Sequence, residues 1–129
     1  DGGRLFISIY NDQGWPSKVW TRIKKAYVDV PMLRPFIVFF CGLWLWKYRI
    51  AWGTVRYANP LKYILAYGVN NRGMSAYHDL VDWVGGYPFE VAKPEDIFDF
   101  YSAQGFTLKR LKTCGGGHGC NEFVFEKQT

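Results

Sequence analysis

At 129 residues the chain has the length of one ordinary domain, enough to bury a core and too short for two. Its 49% hydrophobic content, with 19% aromatics, excludes a disordered tail, because that much apolar surface drives collapse. The net charge of +5 is uneven: residues 1–72 hold eleven Lys/Arg against three Asp/Glu, and residues 73–129 hold five against eight. A basic, aromatic-rich first half suits either an anionic partner or a solvated positive face.

The chain opens Asp-Gly-Gly without a methionine, which reads as a processed or excerpted piece with no signal peptide. Arg4 to Tyr10 follows as a strand, and its nearly all-apolar run predicts cover on both faces, as in a parallel sheet. It ends at Asn11-Asp12-Gln13-Gly14, a loop-forming run. Ligands in open α/β sheets bind beyond the carboxyl ends of strands, so Asn11, Asp12 and Gln13 are site candidates, with a plain polar turn as the alternative.

Val19, Trp20, Ile23 and Tyr27 recur at helical spacing from Ser17, the expected N-cap, with Lys18, Arg22, Lys24 and Lys25 on the opposite face. The helix should stop near Asp29, before Pro31. Pro35 to Trp46 is the most apolar run, and its twelve residues fall short of the ~20 that span a bilayer. Arg34, Lys47 and Arg49 flank it, and Trp44, Trp46, Tyr48 and Trp52 cluster at one end. That arrangement suits membrane-surface contact, with core or oligomer packing as the alternative.

Residues 53–72 read as irregular, with a short helix over Leu61 to Tyr67. Arg56, Lys62 and Arg72 mix there with Tyr57, Tyr63 and Tyr67, but no nucleic-acid motif accompanies them, and nucleic acid is not the expected partner. Ser75 should cap the next helix, which places His78 and Asp82 on one face, four residues apart, with Asp79 beside them. A histidine tuned by a carboxylate can serve as a general base. Gly85-Gly86 ends this helix, Lys93-Pro94-Glu95-Asp96 starts another, and Gly105 stops it. Phe106 to Thr113 and Glu122 to Glu126 are strands around Cys114-Gly-Gly-Gly-His-Gly-Cys120. That loop lacks the paired spacing of a zinc knuckle, even with Cys41 added, and no metal is expected. It also lacks the Lys-Ser/Thr of a P-loop, so it reads as a reversal closing over a neighbouring site. Three cysteines do not make a disulfide framework, which favours a reducing compartment.

Taken together, these motifs resemble the Rossmann-like S-adenosylmethionine-dependent methyltransferases, particularly bacterial enzymes of the ubiquinone-biosynthesis O-methyltransferase type. Gly2 to Gly14 looks like the fifth strand and its loop; Pro94 to Gln104, Phe106 to Thr113 and Asn121 to Glu126 look like the last helix and closing hairpin. Arg72-Gly-Met-Ser75, His78-Asp79, Asp82-Trp83, Gly85-Gly-Tyr-Pro-Phe-Glu90 and Cys120 to Phe125 carry the likeness further. The resemblance implies an α/β fold (α+β if isolated): about three strands, a closing β-hairpin, and a large helical insertion. It implies one domain, 1–129, with a lid over 14–92 and a helix plus hairpin over 93–129.

The family's cofactor-binding glycine loop and acidic residue belong to strands that precede this segment, so S-adenosylmethionine is a cofactor of the complete enzyme, not of this chain alone. No cofactor-binding residue is therefore named. What the resemblance implies is the substrate-recognition half, serving a small, lipophilic methyl acceptor. His78, Asp79 and Asp82 are the catalytic candidates; Asn11, Asp12, Gln13, Trp15, Tyr87 and Glu90 are the acceptor-binding ones. Expected company is a methyl acceptor, the surface of the inner membrane from the cytoplasmic side, and a second copy across an open sheet edge. The alternative is a non-catalytic membrane-peripheral or protein-interaction module.

Overall fold

A computed structural model describes residues 2–59, 61–70 and 73–128. The chain forms two compact units, one from residues 1–20 and 89–129, the other from Thr21–Pro88.

The first unit is built on a four-stranded mixed sheet in the order β2-β1-β4-β3. The strands are β1 (Arg4–Asn11), β2 (Val91–Ala92), β3 (Phe106–Lys112) and β4 (Cys120–Lys127). β4 runs antiparallel to both neighbours, pairing Ile7 with Phe123 on one side and Leu111 with Phe123 on the other. β2 adds a short parallel pairing to β1, Tyr10 to Val91 and Asn11 to Ala92. The sheet thus has four strands where about three were expected, because β2 is only two residues long and leaves no periodic signal.

β1 is also not covered on both faces. Its residues alternate between exposed and half-buried, and Phe6 is 62% exposed. An antiparallel neighbour permits this one-sided burial. On the inner face, β4 sends in Asn121, Phe123 and Phe125, all buried. Phe123 and Phe125 stack at 6.0 Å, and Tyr101 of α6 (Pro94–Ala103) tilts onto Phe125 at 5.1 Å. On the outer face, Glu126 bridges Lys109 at 2.7 Å and Arg4 at 3.5 Å, which draws its carboxyl below the usual range. α6 begins with Pro94 in its first turn and Glu95 and Asp96 near the positive dipole end, and Gly105 follows it at φ +76°. That helix and the β3–β4 hairpin lie where the residues placed them.

The second unit is helical. α1 (Trp15–Asp29) starts in the first unit and ends here; a 3₁₀ turn (Pro31–Leu33), α2 (Arg34–Tyr57), α3 (Lys62–Leu65), α4 (Tyr67–Asn70) and α5 (Ala76–Gly85) follow. Arg34 Nε donates to the carbonyl of Tyr27 at 2.9 Å and so satisfies the carboxyl end of α1. α2 runs 24 residues, straight through Gly53, where an irregular segment was expected; the single short helix over Leu61 to Tyr67 is instead α3 and α4. Gly42 of α2 lies against α5, and a Cβ there would sit 3.0 Å from Leu80 Cδ2. The helix thus uses Gly42 for close packing, and Gly53 is buried too. The compact helical unit spans Thr21–Pro88.

Lys24 departs most from expectation. It shares a face with Trp20 rather than with the solvated lysines, and it is 2% exposed. Its Nζ donates to the carbonyl of Trp83 and lies 3.9 Å from the centroid of that indole. Burial lowers its pKa to about 8, although Asp82 and Cys41 pull the other way.

Candidate functional site

The best-organised polar cluster lies in the first unit, at the carboxyl end of β1, where the chain turns into α1 and the β3–β4 loop folds back. Asp12 Oδ1 accepts from Gly14 N at 2.8 Å, an Asx turn that Gly14 completes at φ +72°. α1 starts at Trp15, two residues before the expected cap. Ser17 sits in its first turn, 3% exposed, and accepts from Gln13 N at 2.8 Å. Ser17 therefore tethers the preceding loop.

Asn121 is the hub. It is 1% exposed; its amide donates to Asn11 Oδ1 at 3.0 Å and its oxygen accepts from Cys114 N at 3.1 Å. One side chain thus ties the strand end to both ends of the glycine-rich loop. Asn11 N donates to Gly119 O at 2.9 Å, and Gln13 Nε2 donates to Gly116 O at 2.9 Å. Gly115 and Gly116 take φ values of +70° and +80°, and a Cβ on Gly119 would lie 2.9 Å from Cys114 Cβ. The loop follows this path because only glycine fits there. Trp20 meets His118 edge-on at 6.2 Å. Asp12 keeps its second carboxylate oxygen clear of any described partner, since only Oδ1 is engaged. The result is a held rim bearing a carboxylate, a carboxamide and an imidazole, suited to hydrogen-bonding a small polar group.

Of the expected acceptor-binding residues, Asn11, Asp12 and Gln13 gather here. Trp15 is 75% exposed at the start of α1, and Glu90 is exposed ahead of β2. The expected catalytic residues belong to α5 in the second unit, as Tyr87 belongs to that unit. His78 is exposed with its ring 5.6 Å from Tyr77, and no hydrogen bond or ion pair among the described residues joins it to Asp82. Asp79 accepts instead from the hydroxyl of buried Tyr67, a bond that raises the phenol's pKa. Ser75 occupies the cap position of α5 with extended backbone but contributes no side-chain cap. Arg72 and the side chains of Tyr57 and Tyr63 lie outside the described residues. Among the described residues no three His, Cys, Asp or Glu side chains come together as a metal ion would need.

Asn121 was not among the expected site residues, although it falls on the inner side of the alternation with Phe123 and Phe125, where a polar residue must find partners. Ser17 was expected as the helix N-cap and instead sits in the first turn, where its hydroxyl accepts from Gln13 N. No protein family model, curated protein or solved structure matches this chain.

Proposed function

We propose that the chain is the C-terminal, substrate-recognition part of an S-adenosylmethionine-dependent methyltransferase acting on a hydroxyl of a small lipophilic acceptor. The observation that supports this most is the sheet: a strand, a long excursion, a helix, and then a hairpin whose second strand inserts beside the first. That is the closing arrangement the sequence resemblance implies. The polar cluster lies at the carboxyl edge of β1, where ligands of open α/β sheets bind.

Among the described residues the parallel pairing of β1 with β2 ends at Ala92 and runs on to Lys93, without an acid, and the glycine-rich loop is engaged by Gln13 and Asn121, which supports assigning the cofactor to another part of the enzyme. The work assigned to this chain is recognition: Asp12 and Gln13 hold the acceptor's polar group, and the tie through Asn121 keeps their loop in place. His78, in the second unit, is the candidate base for the hydroxyl proton on the sequence pattern alone, with Asp79 or Asp82 beside it in sequence.

The test uses the complete enzyme, with methyl transfer followed by release of S-adenosylhomocysteine. Asp12→Asn should raise KM for the acceptor with little change in cofactor affinity, and His78→Gln should lower kcat by about 100-fold or more. Unchanged kinetics in the first variant would remove the rim from acceptor binding; unchanged kinetics in the second would remove His78 as the base.

A further inference from the structure

In the second unit α2 exposes much of its apolar surface. Its inward side carries buried Cys41, Gly42 and Gly53 with half-buried Ile37, Val38, Leu45 and Trp46, while a second set of bulky apolar residues is exposed. Phe36, Phe40, Leu43 and Trp44 recur at helical spacing and continue to Lys47, a stripe along one exposed side. Phe40 and Trp44 are each 64% exposed. An apolar stripe of this kind marks a surface that something covers.

The charge of the helix says what. α2 carries Arg34, Lys47, Arg49 and Arg56 and not one Asp or Glu. Lys47 Nζ lies 4.0 Å from the Trp44 ring centroid and 4.9 Å from that of Tyr48, its stem laid along the aromatic stripe. Trp, Tyr and Lys in this arrangement match the headgroup layer of a membrane, where rings sit at the acyl boundary and the ammonium reaches the phosphates. A second copy fits poorly, because pairing this face with itself would set acid-free cationic helices against each other.

No single helix among the described residues is long and apolar enough to cross a membrane, and the pair that passes by length and composition, Trp15–Asp29 with Pro31–Arg56, is bent by 113°. The charge-free stretch Pro35 to Trp46 is twelve residues, roughly 18 Å of helix against a core of about 30 Å.

We propose that the exposed face of α2 is a docking surface for an anionic membrane, with the helix lying in the interface and Phe36, Phe40, Leu43 and Trp44 reaching the acyl boundary. The proposal does not depend on the methyltransferase reading, since vesicle binding needs neither cofactor nor acceptor.

The test is co-sedimentation of the chain with vesicles of phosphatidylcholine alone or of equal parts phosphatidylcholine and phosphatidylglycerol. Binding is expected on the mixed vesicles and should weaken with salt. The exposed-site variant Phe40→Ser/Trp44→Ser, checked for retained helicity by circular dichroism, should lose about tenfold or more in partitioning. Lys47→Glu reverses a charge and should lose roughly twentyfold on the anionic vesicles while leaving any weak binding to phosphatidylcholine unchanged. Failure to sediment with the mixed vesicles, or equal binding by the Phe40/Trp44 variant, overturns the proposal. So does a concentration-dependent dimer that this variant dissolves, which would make the cover a second copy.

Discussion

Lys24 makes stability depend on pH in an unusual direction. Burial lowers its pKa to about 8 from an ordinary 10.5, so the folded chain binds this proton less tightly than the unfolded chain does. A base depressed by folding destabilises wherever both states are protonated, and the penalty is relieved as pH rises through the folded pKa. That difference makes a penalty of about 3 kcal/mol at pH 7, which shrinks by about 1 kcal/mol between pH 8 and 9. Cys41 acts the opposite way: burial raises its thiol above the ordinary 9.0, so its share of stability is lost above that pH. The window for Lys24 is therefore pH 8 to 9. Urea melts of the chain across pH 7 to 9 should show the midpoint rising with pH. Lys24→Met keeps the volume, removes the charge, and should flatten that slope while adding roughly 1–2 kcal/mol at pH 7. A midpoint that is flat or falling between pH 8 and 9, or an unchanged slope in Lys24→Met, would refute the reasoning.

The cluster at the end of β1 yields two further expectations. Asn121→Leu leaves Asn11 Oδ1 and Cys114 N without their partner and should cost about 2–4 kcal/mol in a denaturant melt, whereas Asn121→Ser, small enough to admit a water, should cost less. Gly119→Ala places a methyl 2.9 Å from Cys114 Cβ and should cost about 1–3 kcal/mol, while Gly117→Ala, whose nearest neighbour is Cys114 O at 3.8 Å, should be near neutral.

What the residues revealed in advance was what local physics decides. The alternation of Phe123 and Phe125, the proline opening α6 and the glycine after it fix the last helix and hairpin without help from distant parts of the chain. β1 misled because its outward residues, Phe6 and Tyr10, are as apolar as its inward ones; composition could not separate the faces. α2 misled through Gly53, a breaker in a helix scale worth about 1 kcal/mol, which the structure buries inside a continuous helix. Lys24 was assigned to solvent by its charge, although it lies four residues after Trp20 on the buried face. For the site, Asn11, Asp12, Gln13 and the glycine loop were each visible as irregular polar stretches. Their joining was not, since the bonds span 103 residues from Gln13 to Gly116 and 110 from Asn11 to Asn121.

Cofactor titration tests the central claim most directly. S-adenosylmethionine is added, in a calorimeter, to this chain and to the full product of its gene. The account predicts one saturable site in the full product and none in the 129-residue chain. Saturable binding by the 129-residue chain would contradict the division of labour proposed here, and no binding by the full product would contradict the methyltransferase assignment itself.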